Sequence, residues 1–406
     1  AIPTTVLFFK DSEEISFLNC KNFFIEEERK QKGEDHTKNR VYTKVLKTYS
    51  DEQIKTILSS IQDKKDIENF SKNVKNSEIQ DEIWQPLRYI ETKTEEKKES
   101  TKKPIKYAMV TDTGGVNDQS FNQSAFEGLK DLEKEGIIEK ANYVESKQAS
   151  DYKTNLETLL DTKYDLIAGI GFALAKDIEA AAKANPDQKY VIIDSAFENT
   201  PKNLIGTIFA DNENSFLVGY LAGTLTTSNK VGFIGGITSP LIKKFEAGFR
   251  AGVELAAKDN NKTVEVVAQY AESFGDATKG KAIANSMYSS GVDMIFHASG
   301  GTGNGVIESA KENNKFVFGV DRDQSYLAPE NVVASTIKKV NEAIKSVGKD
   351  LYEGKFRGGE TIEFSLKTNG VDIAYGKEDQ LKIKIPNELK QKIEELKKSI
   401  ADGKIT

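Results

Sequence analysis

The sequence predicts an α/β protein of two doubly wound lobes, preceded by a separate extension. Three observations carry that expectation. Composition changes near residue 104; beyond it, short β-rich runs alternate with helical stretches; and after five strands the alternation starts again at Lys230 on the same plan. Strands alternating with helices imply parallel sheet with helices on both faces. A chain of 406 residues fits two or three domains.

Residues 1–90 form the extension, of α or α+β type. Gly33 is its only glycine, and charged residues crowd every window. "VLFFK" and "KNFFIEEE" have the composition of strands. "SDEQIKTILSSI" (Ser50–Ile61) reads as a helix start: Ser50 and Gln53 have capping-box spacing, and Ile54, Ile57, Leu58 and Ile61 share one face. No chemistry is assigned to this segment, and docking of a partner is its functional alternative. "ETKTEEKKESTKKP", residues 91–104, reads as a charged linker.

Residues 105–228 are read as the first lobe. Its strands are "KYAMVT", "ANYVES", "DLIAGI", "KYVIIDS" and "LIGTIFA", with helices such as "SAFEGLKDLEKEG", "DYKTNLETLLDT", "ALAKDIEAAAKAN" and "ENSFLVGYLAGTLTT" between or after them. Residues 229–335 repeat the plan with "KVGFIGG", "VEVVAQYA", "VDMIFHAS" and "KFVFGVD". Residues 336–406 complete the lobes and end in an amphipathic helix, "PNELKQKIEELKKSIADGK", with Pro386 near its start and Gly403 as its stop.

Composition excludes several classes. A net charge of −6 opposes general nucleic-acid binding. One cysteine, Cys20, cannot form an intramolecular disulfide, and with His36 and His297 as the only histidines a structural zinc site is not expected. The chain has no apolar run of the ~18 residues that a membrane span requires. A start at Ala1 without methionine fits removal of an export signal, or trimming.

In an open parallel sheet, ligands bind beyond the carboxyl ends of the strands. In the first lobe those positions hold Asp112, Gly114, Asn117, Asp118, Phe121 and Asn122, then Gly171 and Phe172, then Asp194. In the second lobe they hold Gly236, Thr238 and Ser239, then Phe274, then His297, Ser299, Gly300 and Gly301, then Asp321 to Gln324. This set suits a neutral polyhydroxylated ligand carrying a flat ring. Carboxylates accept hydrogen bonds from vicinal hydroxyls. Aromatic faces stack on a base or sugar.

Each feature has a plainer reading. Asp112 and Asp118 can cap the following helix, Phe121 can be a core staple, and Asp321 can pair with Arg322. His297 alone is more often structural than catalytic, and Lys338 and Lys339 can be surface charges. "GGTGNG" (Gly300–Gly305) has the wrong spacing for a dinucleotide fingerprint. No nucleophile–base pair, nucleophile-elbow motif, phosphate loop or acid-rich metal loop is readable. Neither an enzyme nor a cofactor is therefore expected.

"VTDTGGVNDQSFNQSAFEGL", "GIGFALAKDI", "FIGGITSPLIKKFEAGFRAGV", "SFGDATKGKAIA" and "ASGGTGNGV…FGVDRDQ" occur in this order. Together they resemble the basic-membrane-protein family of substrate-binding lipoproteins, most closely the PnrA-like purine-nucleoside receptors of ABC transporters. The resemblance spans Pro104 to the C-terminus. It implies a type I periplasmic-binding-protein fold, with hinge crossovers between the lobes and the ligand in the cleft. It assigns purine stacking to Phe121 and to a second aromatic, Phe274 or Phe296. It gives base reading to Asp194, ribose hydroxyls to Asp321 and an assisting role to Lys338 in preference to Lys339. Asp112 and Asn122 complete the first-lobe wall, and the strand-end residues Asn117, Gly171, Phe172, Gly300 and Gly301 are counted with them as ligand-binding. The implied partners are adenosine, guanosine or inosine and an ABC permease, for a monomer on the extracytoplasmic surface of the cell membrane, lipid-anchored in its full-length precursor. In that family a lipid-modified cysteine shortly precedes the first strand; here Ala1–Lys103 intervene, and Cys20 follows no apolar stretch. The alternatives are riboflavin or a sugar on the same fold, a surface adhesion or signalling protein, and an α/β enzyme such as a nucleosidase.

Overall fold

The computed structural model describes residues 102–405, and five strands within the first hundred residues. The chain divides into two compact units, Ala1–Lys103 and Pro104–Thr406. In the first unit, β1 (Thr5–Phe8), β2 (Glu14–Asn19) and β5 (Ser71–Lys75) form an antiparallel sheet in the order β1-β2-β5. There, β3 (Ile25–Lys32) and β4 (Val41–Thr48) pair antiparallel. Strands thus occur at "VLFFK" and in the second half of "KNFFIEEE". The helix expected over Ser50–Ile61 lies outside the described residues.

The second unit carries two six-stranded sheets. The first contains β6 (Tyr107–Val110), β7 (Asn142–Val144), β8 (Leu166–Ile170), β9 (Lys189–Ile193), β10 (Leu204–Phe209) and β16 (Thr361–Phe364). Their order is β16-β10-β9-β8-β6-β7, and every pairing is parallel. The second contains β11 (Lys230–Gly235), β12 (Glu265–Tyr270), β13 (Met294–Ala298), β14 (Phe316–Gly319), β15 (Val332–Lys338) and β17 (Val371–Tyr375). Their order is β12-β11-β13-β14-β15-β17, and only β17 runs antiparallel. The two sheets share one winding order, as a doubly wound fold requires.

Both faces of each sheet are covered, so the central strands are apolar throughout. In β6, Tyr107 and Met109 enter one core while Ala108 and Val110 enter another. In β13, Met294, Phe296 and Ala298 face the first core while Ile295 faces a third. The period of two along each strand divides the side chains between the layers.

The helices are α1 (Phe121–Lys134), α2 (Asp151–Asp161), α3 (Ala175–Ala184), α4 (Asp211–Leu225), α5 (Pro240–Asp259), α6 (Ala277–Ser289), α7 (Thr302–Glu312), α8 (Val340–Glu353) and α9 (Asn387–Ala401). Ser239 caps α5 by accepting the Ile242 N–H at 3.2 Å, with Pro240 as first helical residue. Among the described helices α4 and α5 pack most extensively, and glycines permit it. A Cβ on Gly252 would stand 2.0 Å from the Phe216 carbonyl oxygen, and one on Gly248 2.2 Å from that of Asn212.

The chain crosses between the sheets three times. After β10 it enters α4, which packs on α5, β15 and β17. After Lys338 it enters α8, which packs on α1. After β16 it returns to β17. The first crossing therefore falls at Ala210, before α4, and not at residue 228, because the apolar surface of α4 is covered by second-lobe elements.

Candidate functional site

Between the lobes lies a cavity of about 480 Å³ including its mouth. It opens where the sheets present their strand ends. Asp112, Asp118, Phe121, Asn122, Gly171, Phe172 and Asp194 line it from the first lobe. Leu241, Ile242, Phe245, Phe274, Ala298, Ser299, Gly300, Val320, Asp321 and Lys338 line it from the second.

The turn after β6 is held by its own carboxylates. Asp112 Oδ1 accepts from the Gly114 N–H at 2.9 Å and from Asn122 Nδ2 at 2.8 Å. Asp118 accepts from the backbone N–H groups of Ser120, Asn122 and Gln123 at 2.9, 2.8 and 3.1 Å. Asp118 therefore both caps α1 and walls the cavity. On the other side, a Cβ on Gly236 would meet the Phe274 ring at 2.2 Å, so this glycine makes room for the aromatic. Phe172 and Phe274 meet across the lobes edge to face, with centroids 6.2 Å apart.

Lys338 sits at the second crossing, only 2% exposed. Its Nζ lies 2.6 Å from Asp194 Oδ2 and 3.0 Å from Asp211 Oδ2. The rings of Phe209, Phe121 and Phe245 surround it at 4.8, 5.2 and 5.3 Å. Asp194 ends β9, Asp211 opens α4 and Lys338 ends β15, so the ion pairs tie two crossings to the cavity. Asp194 and Asp321 follow corresponding strands of the two lobes, and both have left-handed backbone, with φ of 69° and 67°. Such backbone is uncommon outside glycine and marks positions that the surrounding structure over-determines.

Burial dominates the electrostatics. It pushes the carboxyls of Asp112 and Asp321 up to about 6, against the hydrogen bonds that favour their charged forms. It also raises Asp118 and Asp211, the latter in spite of the adjacent ammonium. For Lys338, burial disfavours the ammonium, but Asp194, Asp211 and Asp321 outweigh it and hold the group above the ordinary lysine value. His297 is wholly buried and is pushed down to about 4 by that burial. Asp194 Oδ1 and Asn122 Oδ1 are buried and find no hydrogen-bond partner among the described residues.

Of the residues expected at the site, Asp112, Phe121, Asn122, Gly171, Phe172, Asp194, Phe274, Gly300, Asp321 and Lys338 line the cavity. Three do not. Phe296 is fully buried among the rings of Phe233, Phe245 and Phe249, because its place in β13 turns it to the core face. Asn117 is exposed, since the turn bends it away. Gly301 precedes α7 and sits against Asp118 and the Phe274 carbonyl. Lys339 is at the surface, bonded to Asn369. Arg322 pairs with Glu127 at 3.0 Å, which leaves Asp321 to the cavity.

Sequence reasoning missed Asp211 and the α5 wall of Leu241, Ile242 and Phe245. Asp211 stands just beyond the carboxyl end of β10, so the strand-end rule reaches it. The α5 residues carry only an ordinary amphipathic pattern. Among the described residues no group of three metal-ligating side chains occurs, and no helix is long and apolar enough to cross a membrane.

Two doubly wound lobes, three crossings and a cleft at the strand ends define a bilobal fold of the solute-binding type. The comparisons with known proteins agree. The family model of the ABC transporter substrate-binding protein PnrA-like group matches residues 105–405. A CD4+ T-cell-stimulating antigen of Listeria monocytogenes is 42% identical over 75% of this chain and 88% of its own length. The ABC transporter nucleoside-binding protein BmpA of Lactococcus lactis is 41% identical over 75% and 89%. Basic membrane protein A of Borreliella burgdorferi is 39% identical over 64% and 77%. Among solved structures, an ABC transporter solute-binding protein from Aeropyrum pernix superposes with a TM-score of 0.70 at 27% identity, covering 75% of this chain and 93% of that one. The chain belongs to the PnrA-like family of ABC transporter substrate-binding proteins. That family consists of extracytoplasmic binding proteins, not enzymes.

Proposed function

We propose that this protein captures purine nucleosides in its cleft for an ABC importer. The observation that carries the reading is the pair of unpartnered buried acceptors, Asp194 Oδ1 and Asn122 Oδ1, in a cavity that has an aromatic ring from each lobe. Buried acceptors without partners are costly unless a donor meets them, and nucleoside hydroxyl and amine groups supply donors. Phe121 and Phe274 offer faces for the base. Asp194 reads the base edge and Asp321 takes ribose hydroxyls. The nucleoside-binding relative supports the same ligand class.

The mechanism is a population shift. Ligand contacts to both lobes favour the closed arrangement, and a membrane permease accepts that closed form. Water leaves the cleft on closure, which strengthens each carboxylate–hydroxyl bond. In this reading the protein acts as a monomer, and its precursor carries a lipid anchor. Calorimetric titration of the stripped protein with adenosine, guanosine, inosine, uridine, ribose and riboflavin tests it. Heat from the purine nucleosides, lost in Asp321→Ala, is expected. Heat from riboflavin or ribose alone would overturn the ligand class while leaving the fold in place.

A further inference from the structure

Besides the three crossings and the Phe172–Phe274 contact, the lobes touch at a further place. The first-lobe segment Asp118–Ser120, with Glu127 about two helical turns further on, is gripped by five residues of the second lobe. Asn304 Nδ2 donates to the Asp118 carbonyl at 3.3 Å. Gln324 Nε2 donates to the Gln119 carbonyl at 3.1 Å, and the Tyr326 hydroxyl donates to Gln119 Oε1. The Ser120 hydroxyl donates to Asp321 Oδ2, and Arg322 pairs with Glu127 at 3.0 Å. Gln119 has a φ of 58°, left-handed for a residue with a side chain, and both its carbonyl and its amide are held. Backbone of this kind persists where the surroundings over-determine it.

The gripping arm is itself held by hydrogen bonds. Gln324 is fully buried, accepts the Val320 N–H at 2.9 Å through Oε1, and donates its own N–H to Ser335 Oγ at 3.1 Å. By contrast Tyr326 is 47% exposed and Arg322 lies at the surface end of the contact. Gln119, Glu127, Asn304, Arg322, Gln324 and Tyr326 do not line the cavity. They are bonds between lobes, made outside the cavity lining.

We propose that this contact is a latch: Gln119 and Glu127, seized by Gln324, Tyr326 and Arg322, set how long the closed form lasts. Bonds that exist only when the lobes meet are differential interactions with the closed state, so they shift its population whatever occupies the cleft. They are positioning residues, since none reaches the cavity. Their loss opens the lobes and speeds ligand release, leaving encounter with the open form unchanged.

The kinetic half of this inference rests on the nucleoside reading; the conformational half does not. The test uses the full chain with Cys20→Ser and spin labels at Asp187→Cys in the first lobe and Lys258→Cys in the second, both exposed. The inter-lobe distance distribution is recorded with no added ligand, for this protein and for the same protein carrying Tyr326→Phe and Arg322→Ala. Both latch substitutions fall on part-exposed side chains, so the fold is retained, which melting curves verify. A longer-distance population in the latch variant is expected, with inosine release faster by roughly tenfold and association changed less than about twofold, as the loss of one or two net hydrogen bonds implies. Superimposable distributions with equal release rates would overturn the latch and leave the nucleoside reading standing. Different distributions, with no inosine binding by either protein, would uphold the latch and sink the nucleoside reading.

Discussion

At the scale of single residues, Lys338 has the most consequence. One ammonium holds Asp194 and Asp211 in a site that also gathers Asp112, Asp118 and Asp321, all buried. Replacing Lys338 with Met strands two carboxylates, and removing one member of a buried pair costs on the order of 3–5 kcal/mol. Chemical denaturation is expected to show that loss, and the double variant with Asp211→Asn is expected to recover part of it, because the two sites share an interaction. Gly236 acts through sterics. Gly236→Ala brings a methyl into the Phe274 ring and displaces it, so calorimetry is expected to show ligand affinity reduced by roughly tenfold or more, about the 1–3 kcal/mol of an overpacked contact.

His297 titrates on its own account. Its folded value, about 4, lies below its ordinary 6.5 because the ring is buried. Between those values the unfolded chain binds more protons, so its contribution is present above 6.5 and is lost as pH falls toward 4. Asp112 and Asp321, raised to about 6, act oppositely: their contribution is complete below the ordinary 3.8 and is lost as pH rises through 6. The melting temperature of His297→Gln, compared with the parent across pH 4–7, is expected to drop less on acidification. An identical slope would mean that the histidine is not held neutral.

Residue-level legibility follows the same physics. Asp112, Phe121, Asp194 and Asp321 were readable because strand ends in a parallel sheet converge on one crevice. Phe296 misled because it adjoins such an end, yet strand alternation sends its ring to the core. Asp118 was readable both as a cap and as a wall, and it serves as both. Lys338 was expected at the site only through the family resemblance, because nothing local shows that its three carboxylate neighbours arrive from distant segments.

At the scale of elements, hydrophobic period carried the alternation of β6 to β15 with the helices between them. What it did not carry is where helices pack. α4 reads as a first-lobe helix by order along the chain, but its glycines and apolar surface fit α5 of the second lobe. That contact admits no extra atoms. Gly252→Ala places a methyl against the Phe216 carbonyl and is expected to lower stability by about 1–3 kcal/mol in denaturant unfolding. The return of β16 to the first sheet was equally out of reach, since a four-residue edge strand carries little pattern of its own.

At the scale of the whole molecule, the unit Pro104–Thr406 holds both sheets, all three crossings and the cavity. The family match covers the same residues. A chain beginning at Pro104 is therefore expected to fold cooperatively and to bind ligand within about twofold of the full chain, a difference of a few tenths of a kcal/mol. Capture then depends on two lobes meeting over one ligand, with Lys338 at a crossing and the Gln119 contact among the ties between them. The most direct test of that claim is a calorimetric titration of the stripped protein with inosine, beside Phe121→Ala and Phe274→Ala, one ring from each lobe. The account predicts tight binding by the parent and losses of roughly tenfold or more in both variants, the size expected for a stacked ring removed from a closed site. Undiminished binding in either variant, or no binding by the parent, would contradict it.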